Sequence, residues 1–386
     1  MNRSGFSRRE FVRQSALGAA ALGLAGRARA ASPNEKVQIG IIGVGGRGSH
    51  LLRKLSRMEN VQIVAVCDLK SDRLENAKEI AKRHTPKGYA DYREMLEKEK
   101  MDGVVVATEV GNHAKVVVPV LQAGFNCFQE KPVDTKVERV DAIVKAARQA
   151  KGVLQVGFQR RYNKGYVEAV KRIHQGDLGE PLFLQGAWQW TWQVGPGGWV
   201  VDPDMGGGEL IEQAGHHMDV MSWVMKNQHP LECVAMANRS VTYPNDVRNS
   251  SEDHTAVAYR FPGGVIFSYT HLFYCPQEFQ LEKMWVYGKG WGVDLVTSEL
   301  FQGEEKKPIS EGSGTDWDKG TDGELEAFVA NVGSSAPKKP ESNIETARVA
   351  TLMSIMGQRA FRNLEKGTFE SRVIKWEELG STTEPA

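Results

Sequence analysis

Residues 37–68 restrict what this chain can fold into more than any other stretch. Val37 to Ile42 is an apolar run broken only by Gln38 and Gly40, the pattern of a strand buried on both faces of a parallel sheet. Gly43-Val44-Gly45-Gly46-Arg47-Gly48 follows at once, and Ser49 to Met58 reads as a helix. A second strand, Val61 to Val66, leads to Asp68, twenty residues past Gly48. Strand, glycine turn, helix, strand and acid in that register are the parts of a dinucleotide-binding βαβ unit.

Each part has a physical reason. Gly43 permits the tight turn, Gly45 lets backbone approach a pyrophosphate, and Gly48 lets the helix lie close on the strand. The helix N-terminus offers free N–H groups and a partial positive charge to the phosphates. Asp68 accepts from the hydroxyls of the adenosine ribose and repels a 2′-phosphate, so NAD is expected and NADP disfavoured. Lys70 and Arg73 lie nearby and work against that preference. Arg47 either covers the dinucleotide or is solvated.

Strand and helix continue to alternate through Asp72 to His84, Tyr92 to Lys98, Gly103 to Thr108, His113 to Ala123, Asn126 to Gln129, Val137 to Lys151 and Val153 to Phe158. This predicts an α/β unit over residues 36–158, a Rossmann-type doubly wound parallel sheet.

The 30 residues at the start stand apart from that pattern. Ser7-Arg8-Arg9-Glu10-Phe11-Val12, the Ala/Leu/Gly stretch Ser15 to Gly26 and Ala28-Arg29-Ala30 have the order of a twin-arginine signal peptide with its cleavage site. The expectation is an exported, periplasmic protein that engages the twin-arginine machinery already folded, with a mature chain from Ala31. The whole chain carries a formal charge of +1, but residues 1–30 hold six arginines and one acid, so the remainder is at −4. A mildly acidic body argues against a nucleic-acid partner. No run of about 20 apolar residues is present to span a membrane. Cys67, Cys127, Cys233 and Cys275 have no C-x-x-C spacing, and no metal site is expected.

Beyond residue 159 the pattern changes. After a helix at Tyr166 to Gln175, strands are expected at Pro181 to Trp192, Leu231 to Asn238, Thr255 to Phe261, Val265 to Leu272 and Leu281 to Gly288, then a late helix at Glu341 to Asn363. Residues 159–386 are therefore expected to form an α+β domain with a large, mostly antiparallel open sheet. Residues 302–320 are polar and glycine-rich and read as a mobile loop. Trp188, Trp190, Trp192 and Trp199 surround a glycine-rich segment. They form either a buried aromatic core or a wall on which a sugar ring stacks, with Trp192 and Trp199 nearest the loop. On one continuous helix Glu212, His216 and Asp219 would share a face. His216 is a candidate proton acceptor because imidazole titrates near neutral pH.

Glu130-Lys131-Pro132 after a strand, Gly206-Gly207-Gly208-Glu209-Leu210 leading to Glu212 and His216, Gly157-Phe158-Gln159-Arg160-Arg161-Tyr162, and Asp253-His254-Thr255-Ala256-Val257 together resemble the Gfo/Idh/MocA oxidoreductases over residues 36 to 375. The resemblance implies a nicotinamide-dependent enzyme acting on CH–OH groups of a carbohydrate. It implies Lys131 as the cation at the reacting hydroxyl, His216 as base, and Glu212 in the place usually held by Asp. Thr108 and Glu130 fall on the cofactor side, Arg160 and Tyr162 with the two tryptophans on the substrate side. It further implies a homodimer or homotetramer. Thr108-Glu109-Val110-Gly111-Asn112-His113 departs from the family's usual loop there. Two rivals stay open: glycoside cleavage through transient oxidation by bound NAD, and sugar binding without turnover.

Overall fold

The computed structural model describes residues 36–191, 198–239, 252–310, 320–363, 366 and 368–383. The leader and Trp192 lie outside them. The first unit runs β1 (Val37–Ile42), α1 (Gly46–Leu55), β2 (Val61–Cys67), α2 (Ser71–Ile80), β3 (Lys87–Tyr89), α3 (Tyr92–Lys98), β4 (Gly103–Val106), α4 (His113–Gln122), β5 (Asn126–Gln129), α5 (Val137–Gln149) and β6 (Leu154–Val156). Its six strands are parallel in the order β3-β2-β1-β4-β5-β6. The order reverses between β1 and β4, and a crevice opens at such a switch point beyond the strands' C-terminal ends. β4 is buried throughout, which is why Gly103–Val106 reads as an apolar run; β1 is buried except at Gln38, and β5 buries Asn126 and Gln129 alongside Cys127 and Phe128.

The second unit continues with α6 (Lys164–His174), β7 (Phe183–Gln189), α7 (Glu209–Glu212), α8 (Gly215–Val224), β8 (Glu232–Asn238), β9 (His254–Arg260), β10 (Ile266–Leu272), β11 (Leu281–Gly288), β12 (Trp291–Asp294), β13 (Glu299–Gln302) and β14 (Glu305–Pro308). After α9 (Thr321–Val332) and α10 (Ile344–Phe361) come β15 (Arg362–Asn363), β16 (Thr368–Phe369) and β17 (Val373–Lys375). Nine strands form a sheet in the order β14-β13-β12-β11-β7-β10-β9-β8-β17. It is antiparallel except between β7 and β10. Helix α10 lies against α8, α5 and β8 and so ties the two units together.

Three features differ from expectation. Residues 299–308 form a β13–β14 hairpin, so the stretch read as a mobile loop is partly sheet. Helix α9 lies far past residue 159 yet completes the first core. Its Leu325, Phe328, Val329 and Val332 are buried with Ile39, Val105 and Phe128, and the Phe128 and Phe328 rings meet edge-on at 5.7 Å. Third, the helix expected to carry Glu212, His216 and Asp219 on one face is broken at Gln213 and Ala214 into α7 and α8. Asp219 turns inward to a buried ion pair with Arg161 at 2.8 Å, while Glu212 and His216 line a common cleft.

Candidate active site

The glycine turn makes the floor of the site. Gly43 has φ +83°, and a Cβ there would sit 2.6 Å from the Ala107 carbonyl oxygen. At Gly48 a Cβ would come within 1.9 Å of the Gly43 carbonyl oxygen, so only glycine lets α1 start this close to β1. Ser49 Oγ donates to the Val44 carbonyl at 2.7 Å and holds the turn. Gly45 caps α1 in an extended conformation with no side chain over the helix end, which leaves that end open to an anion. Asp68 follows β2, and its carboxylate accepts the N–H of Val44 at 3.0 Å and of Lys70 at 3.0 Å. Arg73 Nη1 lies 3.8 Å from it.

A cleft of about 590 Å³ runs from this cradle across to the second unit. Gly43, Gly45, Arg47, Asp68, Thr108, Glu130 and Lys131 line it from the first unit, and Trp188, Trp199, Glu212, Gln213 and His216 line it from the second. Lys131, at the C-terminal end of β5, donates from Nζ to the Glu212 carboxylate at 2.9 Å and to the Glu212 carbonyl at 2.6 Å. His216 sits on the first turn of α8. Its Nδ1 is buried without a hydrogen-bond partner, and its ring lies 6.3 Å from those of Phe158 and Trp188. Burial first, then the positive charges of Arg160 and Lys131, holds its imidazole well below the usual value. The ring is therefore neutral at pH 7 and able to accept a proton.

Other residues singled out from the sequence have different surroundings. Arg47 lines the cleft, but its guanidinium donates to Glu130 at 2.6 Å and to Glu324 of α9 at 2.9 Å. With a further bond from Nη1 to the Thr321 hydroxyl at 3.3 Å, these contacts join the turn to β5 and α9. Glu130 also accepts the Lys131 N–H, so it braces the cation-bearing turn. Arg160 does not line the cleft. It is buried beneath Trp188, 5.7 Å from that ring, and pairs with Glu282 of β11. Tyr162 is also outside the cleft: its hydroxyl accepts the Ser342 N–H at 3.2 Å where the chain passes toward α10. Both follow from the short 3-10 turn at Gln159–Tyr162, which points these side chains into the junction between the units. Trp199 lines the cleft and is 38% exposed.

Trp188 and Gln213 are cleft residues that sequence reasoning did not select. Trp188 belongs to the alternating tryptophans read as one face of a strand, and its ring lies 5.6 Å from that of His217 on α8. The signal for Gln213 was weak: Gly215, the first residue of α8, follows the helix break directly. The departure at Thr108 to His113 also has a structural counterpart. His113 is buried, with ring nitrogens 2.9 Å from the Pro132 carbonyl and 3.2 Å from the Thr108 carbonyl, and it staples this loop to the Lys131 turn. Among the described residues no group of three or more His, Cys, Asp or Glu could hold a metal ion. All four cysteines are buried and free.

A glycine cradle at a switch point, an acid after β2, and a lysine and neutral histidine across the same cleft define a dinucleotide-dependent oxidoreductase site. Residues 37–158 match the oxidoreductase family with an NAD-binding Rossmann fold, and residues 166–291 match the GFO/IDH/MocA C-terminal domain. The chain belongs to the Gfo/Idh/MocA oxidoreductases. It is 30% identical to the inositol 2-dehydrogenase of Salmonella typhimurium over 196 residues, 50% of this chain and 56% of that one, so this match spans about half of the relative. It is 26% identical to the inositol 2-dehydrogenase/D-chiro-inositol 3-dehydrogenase of Halalkalibacterium halodurans over 87% of this chain and 96% of that one. The structure of GenD2 from gentamicin A biosynthesis, solved in complex with NAD, has the same fold: TM-score 0.71 at 18% identity, covering 90% of this chain and 98% of that one.

Proposed function

We propose that this chain is an exported NAD-dependent oxidoreductase that removes hydride from a secondary alcohol carbon of a sugar, polyol or glycoside. The observation that carries this reading is that Lys131 and His216 line the same cleft as the Gly43–Gly48 cradle. The inositol dehydrogenase relatives support a polyol as the substrate class.

The open, glycine-walled N-terminus of α1 fits a pyrophosphate, and Asp68 fits a ribose diol. A bound nicotinamide supplies the hydride acceptor. Neutral His216 accepts the hydroxyl proton, through Nε2, since Nδ1 is buried. The Lys131 ammonium stabilises the negative charge that grows on the same oxygen. Glu212 aims that ammonium through the hydrogen bond between them. Trp188 and Trp199 offer apolar faces to the C–H side of a ring.

The leader supports export through the twin-arginine route, and loading before export favours a cofactor that stays bound. Val234, Met236 and Val373 are exposed on β8 and β17 of the large sheet, which supports self-association through that face. The test is mass spectrometry of the ligand released from purified protein, followed by single-turnover reduction of that ligand with a sugar and polyol panel. NAD with reduction by a polyol is the expected result. A protein that binds the panel but never reduces its cofactor has another function.

A further inference from the structure

Residues 198–205 of the second unit reach across to the first. They form a 3-10 turn at Gly198–Val201 and then a tight reversal at Asp202, whose carbonyl accepts the N–H groups of Met205, Gly206 and Gly207. Asp202 Oδ1 accepts the N–H groups of Asp204 at 2.8 Å and Met205 at 3.2 Å, which shapes the tip. The tip docks on the first unit. The Met205 carbonyl accepts the Gly111 N–H at 2.7 Å. The Asp204 carbonyl accepts from Thr135 Oγ1 at 3.1 Å and from Arg139 Nη1 at 3.4 Å, and Lys136 Nζ lies 2.6 Å from the Asp204 carboxylate.

Gly111 is what admits the tip, because a Cβ there would sit 1.9 Å from the Asp204 carbonyl oxygen. It belongs to the stretch Thr108 to His113, whose sequence departs from the family's usual loop. Arg139 Nη1 also donates to the Gly111 carbonyl at 3.0 Å, so one guanidinium holds both notch and tip. Val110 and Asn112, on either side of the notch, line the cleft, and so does Trp199. The Trp199 carbonyl accepts the Asp202 N–H at 3.3 Å, which ties this cleft residue to the tip. The joint therefore fastens one wall of the cleft to the other. It is polar and shallow, with the Asp204 side chain 67% exposed, so it opens by giving up hydrogen bonds and a surface ion pair rather than an apolar core.

We propose that the Asp202–Met205 tip and the Gly111 notch form a clasp that must undock before a bound dinucleotide leaves, and that this clasp sets the release rate. The proposal rests on the NAD-dependent reading of the cleft. It predicts that loosening either half speeds dissociation and leaves association nearly unchanged, since the clasp acts on the closed complex.

The experiment uses full-length protein and NADH as the probe. Gly111→Ala fills the notch and Asp202→Ala unties the tip, so the joint is attacked once from each unit. Stopped-flow fluorescence should show NADH leaving either variant about tenfold faster than wild type, as for the loss of one or two hydrogen bonds, with association within about twofold. The double variant should release NADH no faster than the faster single, because both changes undo one joint. Hydrogen exchange at the Gly111 amide, read without ligand, should be slow in wild type and faster in Asp202→Ala. Unchanged exchange there overturns the clasp, whatever the cleft binds. Faster exchange with unchanged NADH release, or rate increases that multiply fully in the double variant, overturns its role in retention. Wild type that binds no NADH overturns the cofactor reading and the retention claim together.

Discussion

Lys131 and Glu212 meet across the cleft through two hydrogen bonds from one ammonium, at 2.9 Å to the carboxylate and 2.6 Å to the carbonyl. One residue lies two positions past β5 of the dinucleotide unit and the other ends α7, so this contact sets where the two halves of the reaction centre face each other. Lys131→Met should lower turnover on the order of 10²–10⁴-fold with cofactor content unchanged, as expected for loss of a charged group at the reacting oxygen. Glu212→Gln keeps the length of the side chain and should lose much less. Single-turnover cofactor reduction checks both, and equal losses in the two variants would give Glu212 a role beyond aiming Lys131.

His216→Ala should reduce turnover by a similar factor, and its loss should not add fully to that of Lys131→Met, because both act on one oxygen. The double variant compared with the singles is the measurement. Full multiplicativity would mean that the two side chains serve different steps.

Proton binding to the buried histidines should destabilise the fold in acid. Burial and neighbouring cations hold His216 and His217 well below the usual imidazole range. Below about pH 6.5 the unfolded chain binds these protons and the native protein does not. Their contribution is therefore complete at higher pH and is lost as pH falls below about 6.5, at up to about 1.4 kcal/mol per pH unit for each ring. Denaturant melts from pH 8 to 5 should show a shallower slope in His216→Gln than in wild type. An unchanged slope would mean that the ring already carries a proton in the native protein.

Gly48→Ala places a methyl group 1.9 Å from the Gly43 carbonyl oxygen, so α1 must move off β1. Expected are a loss of about 1–3 kcal/mol of stability and near-abolition of cofactor binding. Gly46→Ala is the control, since a Cβ there meets nothing within 4 Å. Equilibrium dialysis with NAD and thermal melts separate the two.

Phe328→Ala should cost about 3–5 kcal/mol, because it opens a cavity against Phe128 in the first core. Cofactor binding should weaken with it, although residue 328 touches no part of the cleft. Thermal melts with and without NAD report both effects.

The dinucleotide half was legible because its information is local. Parallel strands buried on two faces must be apolar runs, and the turn between them must be glycine. Asn126–Gln129 and Leu281–Gly288 fall on the residues expected for strands. What escaped reading depends on partners far along the chain. Nothing around Arg160 tells that Glu282 will neutralise it beneath Trp188, and nothing around Tyr162 points to Ser342. Helix α9 has ordinary amphipathic spacing at Leu325, Phe328 and Val332, but its destination, the sheet begun at Val37, is a tertiary fact. The break at Gln213 and Ala214 is marked in the sequence only by Gly215, the first residue of α8, so it is the structure that places Gln213 in the cleft with His216.

The position of α9 bears on how the protein is made. The ribosome finishes β1 to β6 long before it reaches residue 321, yet until then Phe128 and its neighbours lack their cover. The nascent first unit must wait, with an uncovered apolar patch, while the whole second sheet is synthesised. Chains truncated before α9 should therefore be prone to aggregation and poor at retaining a dinucleotide, since Arg47 would also lack Glu324. Completion of the chain and readiness to take up cofactor are in this way one event, and a stalled or clipped polypeptide has no means of passing for a finished one.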